Sequence, residues 1–137
     1  MTLTTLRTLT PTLLLCGLLS ACATPLPNPP AGDAFVKVAE TTTLDQVLGE
    51  KVDGHTTADA RYFELKPGNH DLAVLIEQEG YNDEDQDCYA DFKYSGFKAG
   101  HHYTIDESSL GDQVTAVLKN DQGKVVSRAV NMDCMPG

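Results

Sequence analysis

The run Asn82-Asp83-Glu84-Asp85-Gln86-Asp87 holds the densest set of ligating oxygens in this chain. Asp83, Asp85 and Asp87 alternate as the first three ligands of an oxygen cage for Ca²⁺ do. The remainder of that pattern fails, because Cys88 stands where a loop glycine belongs and Tyr94 where a closing glutamate belongs. The run therefore reads as a solvated acidic loop. Its candidate contacts are Tyr81, Asp83, Glu84, Asp85 and Asp87, with Ca²⁺ as the alternative occupant of the three aspartates. His101 and His102 invite zinc, yet neighbours on a strand point to opposite faces and cannot chelate together. His70 adds no fixed ligand spacing. Ser95, Ser108, Ser109 and Ser127 lack a nucleophile elbow, and phosphate-cradling and dinucleotide glycine loops are absent. Glu77, Glu79 and Asp91 would serve as acid and base in a glycosidase, but any acidic sheet offers such pairs. No catalytic residue, metal set or cofactor is assigned, and the expectation is a protein that is not an enzyme.

Cysteine is the other reactive type, at positions 16, 22, 88 and 134. Residues 1–12 carry one cation, Arg7, and no acid, and an apolar run follows that ends in Leu19-Ser20-Ala21-Cys22. A charged segment, an apolar core of about 7–15 residues and a small-residue cleavage site make a secretory signal. The core is shorter than the roughly 20 apolar residues that span a bilayer. Leu19-Ser20-Ala21-Cys22 resembles the lipobox of bacterial lipoproteins. The resemblance implies cleavage before Cys22, a diacylglycerol on its sulfur and a further acyl chain such as palmitate on its amine. Two or more chains anchor stably where one binds only marginally. Ala23 in place of Asp implies sorting to the outer membrane, facing the periplasm. In that oxidising compartment Cys88 and Cys134 are expected to form one structural disulfide. Without a Cys-x-x-Cys arrangement, redox catalysis is not expected.

Losing residues 1–21 leaves 116 residues and, with Arg7 gone, takes the formal charge from −10 to −11. That length supplies one core. The charge argues against nucleic acid, whose binding needs Lys and Arg against phosphates, and against anionic headgroups as a ligand. The acidity keeps such a protein soluble and steers cationic partners toward it.

The elements that must position these residues are short strands. Residues 22–33 follow the signal as the lipidated cysteine and a tether. Pro25, Pro27, Pro29 and Pro30 bar helix and central strand from it and favour polyproline II. The body, 34–137, opens with a strand at 35–39. Residues 44–51 are ambiguous, since Leu44, Val47 and Leu48 sit at helical spacing before the turn Val52-Asp53-Gly54. Strands at 61–65 and 72–76 flank Lys66-Pro67-Gly68-Asn69, which has the chemistry of a type II turn and predicts an antiparallel hairpin. Leu72, Val74 and Ile76 share one face, while Leu75 on the other suggests burial on both. Further strands are read at 88–97, 101–106, 113–119 and 124–130. The last two are joined by Asn120-Asp121-Gln122-Gly123, and Cys134 would pin the chain end to the strand opening at Cys88. Seven or eight short strands with frequent turns predict a single all-β domain, an antiparallel β-sandwich of immunoglobulin or prealbumin type.

Val52-Asp53-Gly54, then Phe63-Glu64-Leu65-Lys66-Pro67-Gly68-Asn69-His70-Asp71-Leu72, then Gly80-Tyr81 resembles the PEGA repeat and related sandwiches of small envelope lipoproteins, over residues 52–81. The expected function is a lipid-anchored, non-catalytic binding or scaffolding module. Its partners would be the membrane, through the acyl chains, and another envelope protein or a glycan. One alternative is an inhibitor-type lipoprotein capturing a cationic enzyme such as lysozyme. A periplasmic hydrolase is another.

Overall fold

The computed structural model describes residues 25–39, 45–80, 85–111 and 113–137. Among them the regular structure is entirely β, in two facing five-stranded sheets. The strands are β1 (Ala34–Val38), β2 (Asp45–Val52), β3 (His55–Thr56), β4 (Tyr62–Leu65), β5 (Gly68–Gln78), β6 (Gln86–Phe97), β7 (His102–Leu110), β8 (Gln113–Asn120), β9 (Val125–Arg128) and β10 (Val130–Pro136). Sheet A has the order β4-β1-β7-β8-β9, and sheet B the order β10-β6-β5-β2-β3. The expected sandwich is present. Its strand number is ten because β3 is a two-residue ribbon and because the chain end, β10, crosses to sheet B after β9.

Alternation places the core. Val36 and Val38 on β1, Ile105 on β7 and Val114, Ala116 and Leu118 on β8 face inward from sheet A. They meet Leu72, Val74 and Ile76 of β5 and Cys88, Ala90 and Phe92 of β6. Side chains two residues apart share a face, so each strand buries one row and presents the other. A trio of rings closes the end where the chain enters: Tyr94, Phe97 and Tyr103, with Phe97 edge-on to both tyrosines at 4.9 and 5.0 Å. The Tyr103 hydroxyl donates to the Gly96 carbonyl and accepts from the Lys98 amide, each at 3.2 Å. Burial raises its pKa above the ordinary tyrosine value.

Three local expectations change. The Pro67-Gly68 turn reverses the chain, with Gly68 at φ 132°, but makes no hairpin. β4 pairs with β1 in sheet A, whereas β5 pairs with β2 and β6 in sheet B. Turn chemistry fixes the local reversal; partners elsewhere in the chain decide which sheet each arm joins. Sheet A is also mixed, since β1 runs parallel to β7 while its other pairs are antiparallel. Residues 45–52 form a strand with a register shift between Gly49 and Lys51. Ahead of that bulge, regular pairing puts Val47 inward opposite Ile76 and Leu48 beside Leu75 on the outside. Leu44 lies outside the described residues. The Asn120–Gly123 turn does join antiparallel β8 and β9, with Gly123 at φ 73°.

Candidate functional site

Asp53, His70 and Asp71 assemble into a clasp at one end of sheet B. Asp53 sits in the β2–β3 turn at φ 50°, a left-handed conformation that Asp tolerates better than most residues. Its Oδ1 accepts the Asp71 amide at 2.9 Å, and its own amide donates to the Asp71 carbonyl at 2.8 Å. Its Oδ2 takes the His70 Nδ1 at 2.7 Å. The other ring nitrogen of His70 lies 2.8 Å from the Lys66 carbonyl. Both nitrogens therefore meet acceptors, and the ring fills both bonds when it carries two protons. The Asp71 amide, and after it the His70 ring, hold the Asp53 carboxyl below the ordinary carboxylate range. One aspartate thus ties the β2–β3 turn to the crossover that leads into β5.

Beside the clasp lies an open hollow of about 400 Å³ lined by Asp53, His70, Asp71, Lys93, Tyr94 and Ser95. Asp, His and Ser share its wall, but the outer nitrogen of His70 is engaged by the Lys66 carbonyl. It is not placed to accept the Ser95 proton, as a catalytic histidine must.

Asp71 and Lys93 also border a second recess of about 330 Å³ on the outer face of sheet B, which opens over the small side chain of Ala73. Lys51, Tyr89 and Asp91 stand around it. Above Ala73, register sets Leu48, Leu75 and Tyr89 side by side on β2, β5 and β6. Leu75 is half-buried and Tyr89 is 43% exposed. Among the described residues no second layer covers this row; it is the outside of the sandwich. Lys93 approaches Asp71 at 3.7 Å, with both side chains largely exposed.

The residues singled out in the sequence are dispersed. Cys22, Tyr81, Asp83 and Glu84 lie outside the described residues. Asp85 is exposed; its Oδ1 accepts the Gly80 amide at 3.1 Å and its carbonyl accepts the Gly137 amide at 2.9 Å. Asp87 lies on β6 opposite Glu77 and Met135. The calcium alternative thus includes Asp85 and Asp87 within the described chain, while its third member is outside. Among the described residues no three His, Cys, Asp or Glu side chains are grouped to hold a metal ion. His101 bonds Asp121 at 2.8 Å, and His102 lies against the Phe35 ring at 5.7 Å. The two neighbouring histidines are thus occupied separately. Ser108 bonds Thr115, Ser109 donates to the buried Asp45, and Ser127 donates to the Lys93 carbonyl. Cys88 and Cys134 are bonded directly across β6 and β10, with 4.0 Å between their Cα atoms. Of the aromatic segment 81–103, Phe92, Phe97 and Tyr103 are buried, and Tyr89 turns outward.

The apolar row on sheet B was the feature missed in the sequence. Its one signal in the sequence is Leu75, whose place in the alternation suggests burial on both faces; the structure flanks it with Leu48 and Tyr89 on an open face. No family model, curated protein or solved structure matches the chain.

Proposed function

We propose that this chain is a lipid-anchored envelope protein. It would be held at the periplasmic side of the outer membrane through Cys22, and would act as a binding or scaffolding module without catalysis of its own. The observation that carries the binding role is the outer face of sheet B, where a recess and an apolar row stand open beside charged side chains. Pockets with convergent polar groups and exposed apolar patches are the surface features that mark recognition. The anchor rests on the order Leu19-Ser20-Ala21-Cys22, and the compartment is consistent with the pairing of Cys88 with Cys134.

Crosslinking in intact envelopes, followed by purification of the chain under denaturing conditions, tests the reading. The expected result is one dominant adduct with an envelope protein or glycan, formed at native abundance. Absence of any adduct, together with turnover of a hydrolase substrate that disappears on replacing one acid or histidine, would replace the binding module by an enzyme.

A further inference from the structure

We propose that the outer face of sheet B docks a cationic, amphipathic polypeptide, with Tyr89 and Leu75 at the centre of the contact. This rests on the binding-module reading above and gives it a surface and a partner chemistry.

The two outer faces of the sandwich differ in how far their apolar groups are exposed. On sheet A, Phe35 is buried in a stack with the half-buried Tyr62 at 5.2 Å, and around them stand Lys37, Thr104, Thr115 and the ion pair of Lys119 with Asp106 at 2.5 Å. Sheet B presents the row Leu48, Leu75 and Tyr89, whose neighbours lie within cross-strand contact distance of about 5 Å. The edge strand β10 continues this surface. Val130 pairs with Asp91 and Met135 with Asp87, so both share the outward face with Tyr89. They are 43% and 47% exposed. Three of the large hydrophobics exposed among the described residues therefore fall on one face of one sheet. The others, Leu110 and Val125, lie on sheet A. Beside Tyr89 the recess over Ala73 offers a seat for an apolar anchor of the kind that dominates interface energy.

Charge chooses the occupant. Asp71, Glu77, Asp87, Asp91 and Asp133 occupy outward positions around the row and outnumber the lysines there, Lys51 and Lys93. A second copy would set this acidic rim against itself, in a chain whose net charge is already −10. An uncharged partner would strip water from the carboxylates without pairing them. A partner with lysine or arginine around an apolar ridge satisfies the row and the rim together.

The probe is a fluorescein-labelled peptide of alternating lysine and isoleucine, titrated against the full chain in non-ionic detergent and followed by anisotropy. Alternating lysine–serine and glutamate–isoleucine peptides are the comparisons. The lysine–isoleucine peptide is expected to bind at least tenfold tighter than either and to weaken steeply with salt. Tyr89→Ser with Met135→Ser, both at exposed positions, should cost at least tenfold, as should Glu77→Lys with Asp91→Lys. Thr115→Lys on sheet A should change binding less than twofold. Equal binding of the lysine–serine peptide, no effect of the Tyr89 and Met135 variant, or a wild-type dimer in sedimentation lost on Tyr89→Ser would each overturn the proposal.

A photo-crosslinking residue in place of Tyr89 or of Thr115, in intact envelopes, separates this inference from the reading beneath it. An adduct at position 89 alone supports both. An adduct at 115 alone sinks the sheet B surface and leaves a binding module, whereas none at either position sinks both.

Discussion

Asp53 accepts from two groups and bends the backbone at the same Cα. Its carboxylate joins the Asp71 amide to the His70 ring, and its positive φ turns β2 into β3. The folded chain lowers its pKa, so its contribution to stability is complete above the unfolded carboxylate value of about 4. That contribution is lost as pH falls through the lowered folded value. Asp59, which Arg61 holds at about 2 through side-chain and backbone hydrogen bonds, acts in the same direction. Asp53→Asn keeps a residue that tolerates positive φ and removes the charge. The urea midpoint at pH 7 should fall, and its decline between pH 4 and pH 2 should become shallower than in the wild type. An unaltered acid limb would show that the clasp adds no charge-dependent stability. Val52-Asp53-Gly54 and Pro67-Gly68 were legible as turns because turn propensity is local. The bond between Asp53 and His70 was not, since it crosses 17 residues and depends on where β5 begins.

Among the elements, β2 depends on one small residue, Gly49. A Cβ on Gly49 would stand 2.8 Å from the Phe63 ring, closer than packed atoms allow, and 3.2 Å from the Ala60 carbonyl, tighter than most packed contacts. Phe63 is 1% exposed and links β4 of sheet A to the side of β2. Gly49→Ala should therefore destabilise by about 1–3 kcal/mol, the usual range for overpacking. Adding Phe63→Leu should restore part of the loss, as measured by thermal unfolding of the two variants side by side. The edge strand β10 makes a second prediction. Its residues are mostly exposed, its only strand partner among the described residues is β6, and Cys134 bonds Cys88 across that pair. Replacing both cysteines by alanine should lower stability by about 4 kcal/mol on the loop-entropy estimate, a fall in Tm on the order of 15 °C or more. Hydrogen exchange should rise first in residues 130–136. The period-two row of β5 was readable in the sequence because alternation maps directly onto burial, whereas in β6 polar and aromatic residues on both rows left the inward face open. The identity of each strand's partner was not, as the separate sheets taken by β4 and β5 demonstrate.

For the whole molecule, the proposed anchor makes the clearest prediction. Cys22→Ser should shift the chain from the membrane to the soluble periplasmic fraction and remove fatty-acid label, with folding of residues 34–137 unchanged by circular dichroism. Persistence in the membrane fraction would mean that something other than acyl chains holds it. Asp33 shows how the proposed tether meets the domain: its carboxylate takes Lys66 at 2.7 Å, its carbonyl accepts the Gly100 amide, and its own amide donates to the Pro30 carbonyl. Residue order alone carried the all-β class, the inward row of Leu72, Val74 and Ile76, the turn at residues 120–123 and the candidate pairing of Cys88 with Cys134. Each of these follows from short-range periodicity, from backbone preference or from counting thiols. The assembled sheets settled the rest: the parallel β1–β7 pair, the crossover at Pro67-Gly68, the Asp53–His70 clasp and the open row of Leu48, Leu75 and Tyr89. Those features join residues far apart in the chain. They depend on which strands lie side by side and in what register, which the pattern along a single strand does not encode.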